Sequence, residues 1–174
     1  MAQRNILPYK IKALVVWLRR MKYIQGFGIQ SPSAFSFDRE VINDHTFYPI
    51  YAELRRTDKT LTAVERKKAR LLYRINRSIK ADNFCFCPAM SAAYERYIKA
   101  ACDKTLVEEV GETDKTSVND TLCQRNIYFL TAGEHCQKFY ETLRTTINEE
   151  SLVIVDSIKH NAPAKAFWKQ MVAD

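Results

Sequence analysis

Thiols, acids and histidines are the side chains with which this sequence could do chemistry, and their spacing narrows what that chemistry can be. Five cysteines (Cys85, Cys87, Cys102, Cys123 and Cys136) are spread through the second half of a 174-residue chain. Cys85 and Cys87 are two apart, which puts both on one face of a strand, but no second close pair completes a four-ligand zinc site. An odd, scattered set in a chain large enough to bury its own core reads as buried, reduced thiols rather than a disulfide frame. His135 and His160 fall near predicted strand-end loops, where a general base could stand. A scattered histidine is more often structural or exposed. The sequence contains no Ser/His/Asp order, no zinc-ligand spacing and no phosphate-binding glycine loop.

The elements that must position these groups change character near residue 81. Residues 7–24 place Ile11, Leu14, Val15, Leu18 and Met21 on one stripe with cations largely off it, a helix expected to dock on its own domain. Residues 26–35 (GFGIQSPSAF) form a shaped loop, since Gly26 and Gly28 permit special backbone angles and Pro32 restricts Ser31. An aromatic-rich stretch to Tyr51 suggests short helices over a core. Residues 63–80 form the clearest helix, with Val64, Ala69, Leu71, Leu72, Ile75 and Ile79 on its apolar face and Glu65 in the first turn. From residue 83 short strands alternate with helices: strands at 83–87, 105–107, 127–130 and 151–155, helices at 90–102, 134–147 and 163–172. In the 90–102 helix, Ala93, Tyr97, Ala100 and Ala101 are read as facing inward. Continuous apolar runs such as Leu152–Val155 suit parallel strands buried on both faces. The expected organisation is a helical N-terminal region, 1–80, packed on an α/β domain, 81–174, in one structural unit.

Charge divides along the same line. Residues 1–80 carry 17 Lys/Arg against 6 Asp/Glu, and residues 81–174 carry 10 against 14, within an overall +7. A basic half can meet nucleic acid or a membrane surface, or attract the acidic half. Its cations are dispersed along helical segments without the aromatic-interleaved motif of a nucleic-acid module, so that partner is a secondary reading. No apolar stretch reaches the roughly 20 residues of a membrane span, and no secretory signal is visible, which points to the cytoplasm.

Several segments resemble a known family. GFGIQSP with the aromatics that follow, LYRINR before the first strand, and SLVIVDSIKHNAPAKAFWKQM are similar to a class I S-adenosylmethionine-dependent methyltransferase family of Bacteroidetes-type bacteria. Its members open with a Gly-x-Gly-Ile-His-Ser-Pro-Phe loop. The likeness spans roughly residues 20–172. It implies a Rossmann-like, doubly wound, mostly parallel sheet with S-adenosylmethionine across the carboxyl ends of the strands, at the switch point.

The departures from that family are specific. Its glycine turn after the first strand is replaced by CFCPAMSAAY, with no glycine between Phe84 and Tyr94, and Pro88 lacks an N–H. Gln30 stands where the family loop has histidine, and Thr131 stands where an acid is usual after the fourth strand. Glu108 or Glu109 occupies the place of the ribose-binding acid, although two glutamates at a strand end can equally be solvated surface. Asp156 is retained but is followed by Ser157; a divalent cation needs several hard oxygen ligands, so no metal site is expected, and a cap or strand-end hydrogen bond is its plainer role.

Three expectations result. The first is a methyltransferase-like protein with a degenerate cofactor site that binds or scaffolds rather than catalyses. The second is a working methyltransferase, in which Cys87, Pro88 and Ser91 approach the cofactor, Glu108 or Glu109 holds its ribose, Thr131 lies beside it, and Asp156 orients the acceptor. The third is nucleic-acid binding through the basic half. The sheet is expected to be incomplete at its C-terminal edge, leaving an edge that a homodimer or another protein partner could cover.

Overall fold

A computed structural model of the chain describes residues 31–87, 91–109, 125–133 and 136–173. The expected helix at 7–24, loop residues 26–30 with Gln30, and Pro88, Cys123 and His135 lie outside the described residues. The chain divides into two compact units, Met1–Thr46 and Phe47–Asp174.

In the first unit, helix α1 (Pro32–Phe37) begins with proline at its first position and Ser31 as its cap, the Ser31 hydroxyl accepting from the Ala34 amide at 3.4 Å. Proline there sets a helical φ, and its missing N–H would have had no helical partner. The chain continues through a π-helical turn, Asp38–Ile42, closed where the Asn43 side chain donates to the Asp38 carboxylate at 2.9 Å.

Among the described residues, all strands lie in the second unit. Helix α2 (Ile50–Thr57) leads to α3 (Ala63–Ile79), which starts in a capping box: the Glu65 amide donates to the Thr62 hydroxyl, and the Thr62 amide donates to the Glu65 carboxylate. Hydrogen bonding from Thr62 to the carboxylate, from its side chain first and then from its backbone amide, holds the Glu65 carboxyl below its usual range. The buried arc of α3 carries Ala69, Leu72, Tyr73, Ile75 and Asn76. Val64, expected on this face, is 64% exposed because it falls just outside that arc. Lys80 ends the helix in the left-handed region (φ 53, ψ 58), a conformation usually given to glycine.

Then follow β1 (Asn83–Cys87), α4 (Ala92–Ala101), β2 (Leu106–Glu109), β3 (Asn126–Thr131), α5 (Gln137–Thr146), β4 (Leu152–Asp156) and α6 (Ala162–Ala173). The four strands are all parallel, in the order β2-β1-β3-β4. This is the expected α/β architecture. The chain moves outward from β1 to β2 and then recrosses to β3 on the other side of β1. Right-handed crossovers that travel in opposite directions must place their helices on opposite faces, and the core divides that way.

On one face, Cys85 and Cys87 of β1, Tyr128 and Leu130 of β3, and Val153 and Val155 of β4 pack with Phe139, Tyr140 and Leu143 of α5 and Phe167 of α6. On the other, Phe84, Phe86, Ile127 and Phe129 are buried, with Phe86 5.0 Å from Phe84 and 5.7 Å from Phe129 between ring centroids. Helix α4 covers this second face and presents Ala93, Tyr94, Tyr97 and Ile98 to the interior; Ala100 is exposed, contrary to the sequence reading. Tyrosine and isoleucine remove more apolar area from water than alanine, so they set which side of the helix turns inward.

Asn76, fully buried, ties α3 to this layer. Its side-chain amide donates to the Ile98 carbonyl (3.0 Å) and the Thr105 hydroxyl (3.1 Å), and its carbonyl accepts from the Ala81 amide (3.2 Å). Thr105 in turn donates to the Ala81 carbonyl at 2.7 Å. One residue thereby fixes the end of α3, the end of α4 and the entries to β1 and β2.

Candidate functional site

In a parallel sheet every strand delivers its carboxyl end to the same rim, and residues paired across the ladder share a face. Phe86 pairs with Glu109, and Cys85 pairs with Glu108. The two glutamates therefore point to opposite faces. Glu108 lies on the side of the cysteines, where it adds to the effect of burial in pushing the Cys85 thiol up to about 12. Glu109 lies on the α4 face.

There it lines a cleft of about 280 Å³ with Phe86, Ser91, Ala92, Glu95 and Val107. Each wall has a local cause. Ser91 caps α4, its hydroxyl accepting from the Ala93 amide at 3.3 Å, so the first turn of the helix starts at the rim of β1. Glu95 belongs to that first turn, where the helix dipole favours an acid, and it pairs loosely with Lys99 at 3.8 Å. Phe86, 2% exposed, lies at the inner side of the cleft within the aromatic block of β1 and β3. Two carboxylates above an aromatic ring suit a ligand with hydroxyl donors or positive charge, and they repel phosphate.

Thr131 and Asp156 form a second group. They are register partners at the ends of β3 and β4, and the Ala132 amide donates to the Asp156 carbonyl at 2.9 Å. The Asp156 carboxylate is paired with Lys68 of α3, both part-buried. Tyr94 is near: burial, then the charges of Glu65 and Asp156, push its hydroxyl up to about 12. The residue after Asp156, Ser157, has φ 61, a left-handed conformation uncommon outside glycine. Asp156 does not cap α6; the Asn161 side chain accepts from the Ala164 amide at 2.8 Å and takes that role.

Cys87 belongs to neither group. Its side chain faces the α5 layer, with its sulfur 3.1 Å from that of Cys136, whose thiol donates to the Cys87 carbonyl at 2.8 Å. Cys85, Cys87 and Cys136 are buried thiols, as expected, whereas the Cys102 thiol at the end of α4 is only part-buried. His160 is exposed in the turn after β4, its amide donating to the Ser157 carbonyl at 2.9 Å.

Of the residues singled out from sequence, Ser91 and Glu109 therefore meet in one cleft. Thr131 and Asp156 meet at the neighbouring strand ends on the same face, and Cys87 and Glu108 turn to the other face. Glu95 and Lys68 were not anticipated. Glu95 could have been found as an acid one turn into the helix that follows the first strand. Lys68 carries no local signal, since it meets Asp156 across 88 positions of sequence.

Among the described residues no group of three or more His, Cys, Asp or Glu is placed to hold a metal ion, and no helix is long and apolar enough to cross a membrane. No protein-family model, curated protein or solved structure matches this chain.

Proposed function

We propose that the chain is a methyltransferase-like protein of Rossmann-like, doubly wound fold whose S-adenosylmethionine site has degenerated, leaving a domain that binds or scaffolds rather than catalyses. Support for the fold comes from the strand order, which reverses between β1 and β3, and from helices on both faces of a parallel sheet. In such sheets ligands lie beyond the carboxyl ends of the strands, beside that reversal.

The cleft between Glu109 and the start of α4 is the observation that carries the functional reading. Its acid stands where a ribose-binding carboxylate belongs, and its negative charge suits a ligand bearing ammonium and sulfonium groups. Its volume, about 280 Å³, is just below the roughly 300–1,000 Å³ of sites that enclose drug-sized ligands. The β1–α4 connection has side chains where close approach calls for bare backbone, with no glycine from Phe84 to Tyr94. A residual carboxylate pair in a narrowed cleft favours weak capture of the adenosine part over enclosure of the whole cofactor.

On the same rim, Asp156 is engaged by Lys68 and would have to exchange that partner before orienting any acceptor. A protein partner is the natural client of such a scaffold. Incubating the chain with methyl-labelled S-adenosylmethionine and fractionated cell extract is the test. No labelled product is expected; label transfer that disappears in Glu109→Gln would establish a working enzyme instead.

A further inference from the structure

We propose that α3 carries a nucleic-acid binding surface, in which Arg66, Arg70, Arg74 and Arg77 dock a phosphate backbone without reading bases. The four arginines fall at steps of four, four and three residues, so they share a sector of about 80° on the helix. From Arg66 to Arg77 the row is about 16 Å long, the axial rise of roughly five phosphates along one strand of a duplex. The segment from Ile50 to Lys80 carries ten Lys/Arg against three Asp/Glu. Those acids are largely committed, Asp58 to Arg96 and Glu65 to Thr62.

Two features separate this row from an ordinary solvated face. Like charges at i,i+4 destabilise a helix, and exposed faces ordinarily alternate signs; here arginine follows arginine with no acid in the sector. The guanidiniums of Arg66, Arg70 and Arg77 are also held in place. Arg70 stacks over the Tyr51 ring and Arg77 over the Tyr48 ring, each 5.0 Å from the centroid. Arg77 also donates to the Tyr73 hydroxyl at 3.3 Å, and Arg66 donates to the Leu61 carbonyl at 2.8 Å. Stacking of this kind needs a planar fork, which lysine lacks, and a fixed fork loses less freedom when it meets phosphate. Arg66, Arg70 and Arg74 are half-buried and Arg77 is exposed. Tyr51 and Tyr73 are buried (6% and 4% exposed), so they cannot offer rings to bases, and the contact is one of charge and shape.

This surface lies on α3 and stands or falls independently of the cleft beside Glu109. The test is fluorescence anisotropy of the full chain with a labelled DNA duplex of roughly 20 base pairs, in two unrelated sequences, between about 50 and 200 mM salt. Four phosphate contacts predict a slope of log affinity against log salt of about −3.6, an affinity loss of about 150-fold over that range, alike for both sequences. The pair Arg74→Gln and Arg77→Gln should bring the slope to about −1.8 and the loss to about 12-fold, while Arg→Lys at the same positions should keep the slope and so report charge. The pair Arg66→Gln and Arg74→Gln leaves both stacked guanidiniums in place and should give the same reduced slope. It serves if the first pair melts early by circular dichroism. Absence of binding at low salt, a slope that neither glutamine pair changes, or binding to anionic lipid vesicles in place of DNA would overturn the proposal.

Discussion

Replacing Asn76 by leucine tests how the two helical layers are joined to the sheet. The side chains are close in size, so the change removes hydrogen bonds with little change in volume. Three are lost: those to the Ile98 carbonyl, to the Thr105 hydroxyl and from the Ala81 amide. The losses are unequal. The Ile98 carbonyl still accepts from the Cys102 amide at 3.2 Å, and Thr105 still donates to the Ala81 carbonyl. Those two bonds are therefore worth about 0.5–1.5 kcal/mol each. The Ala81 amide is left buried with no replacement acceptor, at about 1–3 kcal/mol. Leucine's added burial offsets part of this, about 1 kcal/mol. The net expectation is a destabilisation of about 1–5 kcal/mol, or roughly 3–15 °C in Tm for a chain of this size. Urea denaturation followed by circular dichroism reads it directly, with an unchanged m-value expected. A loss under about 1 kcal/mol would mean that the Asn76 network does not carry the junction, and the packing argument would be wrong.

Two further predictions concern the backbone and the protons of the same unit. Lys80→Gly should raise stability by about 1 kcal/mol in thermal melts, because Lys80 holds φ 53 at the end of α3; no gain would show that its side chain offsets the strain. Cys85 and Tyr94 are each pushed up to about 12, in both cases mainly by burial. The unfolded chain ionises these groups at lower pH than the folded one, so the folded state holds more protons and its stability should fall as pH rises from about 9 to 12. A flat urea midpoint across that window would contradict both assignments. Native Cys85 should also remain unmodified by thiol reagents near pH 8, as a buried neutral thiol is inert.

Much of the fold was legible because its signals are local. The strand at Asn83–Cys87, the helix at Ala63–Ile79 and the run Leu152–Val155 each announce themselves by period or composition, and alternation of strand and helix implies a parallel sheet. What depended on register was not legible. Glu108 and Glu109 are neighbours in sequence, and only the pairing of Phe86 with Glu109 decides which one faces the cleft. The helix AAYERYIKAA has alanines on several sides, so its inward face rests on the buried Tyr94 and Ile98 rather than on the alanine pattern. Lys68 with Asp156, and Cys87 with Cys136, are partners made by chain topology across long sequence separations, beyond the reach of any spacing rule.

The proposed function rests on Glu109 as the remaining acid of an adenosine site and on a β1–α4 connection without glycine from Phe84 to Tyr94, a sequence that disfavours tight binding. Isothermal titration of the intact chain with S-adenosylmethionine measures this directly. The account predicts a dissociation constant no tighter than about 1 mM, equivalent to about −4 kcal/mol, weakened further in Glu109→Gln. Saturable binding in the low micromolar range, near −8 kcal/mol, would contradict it.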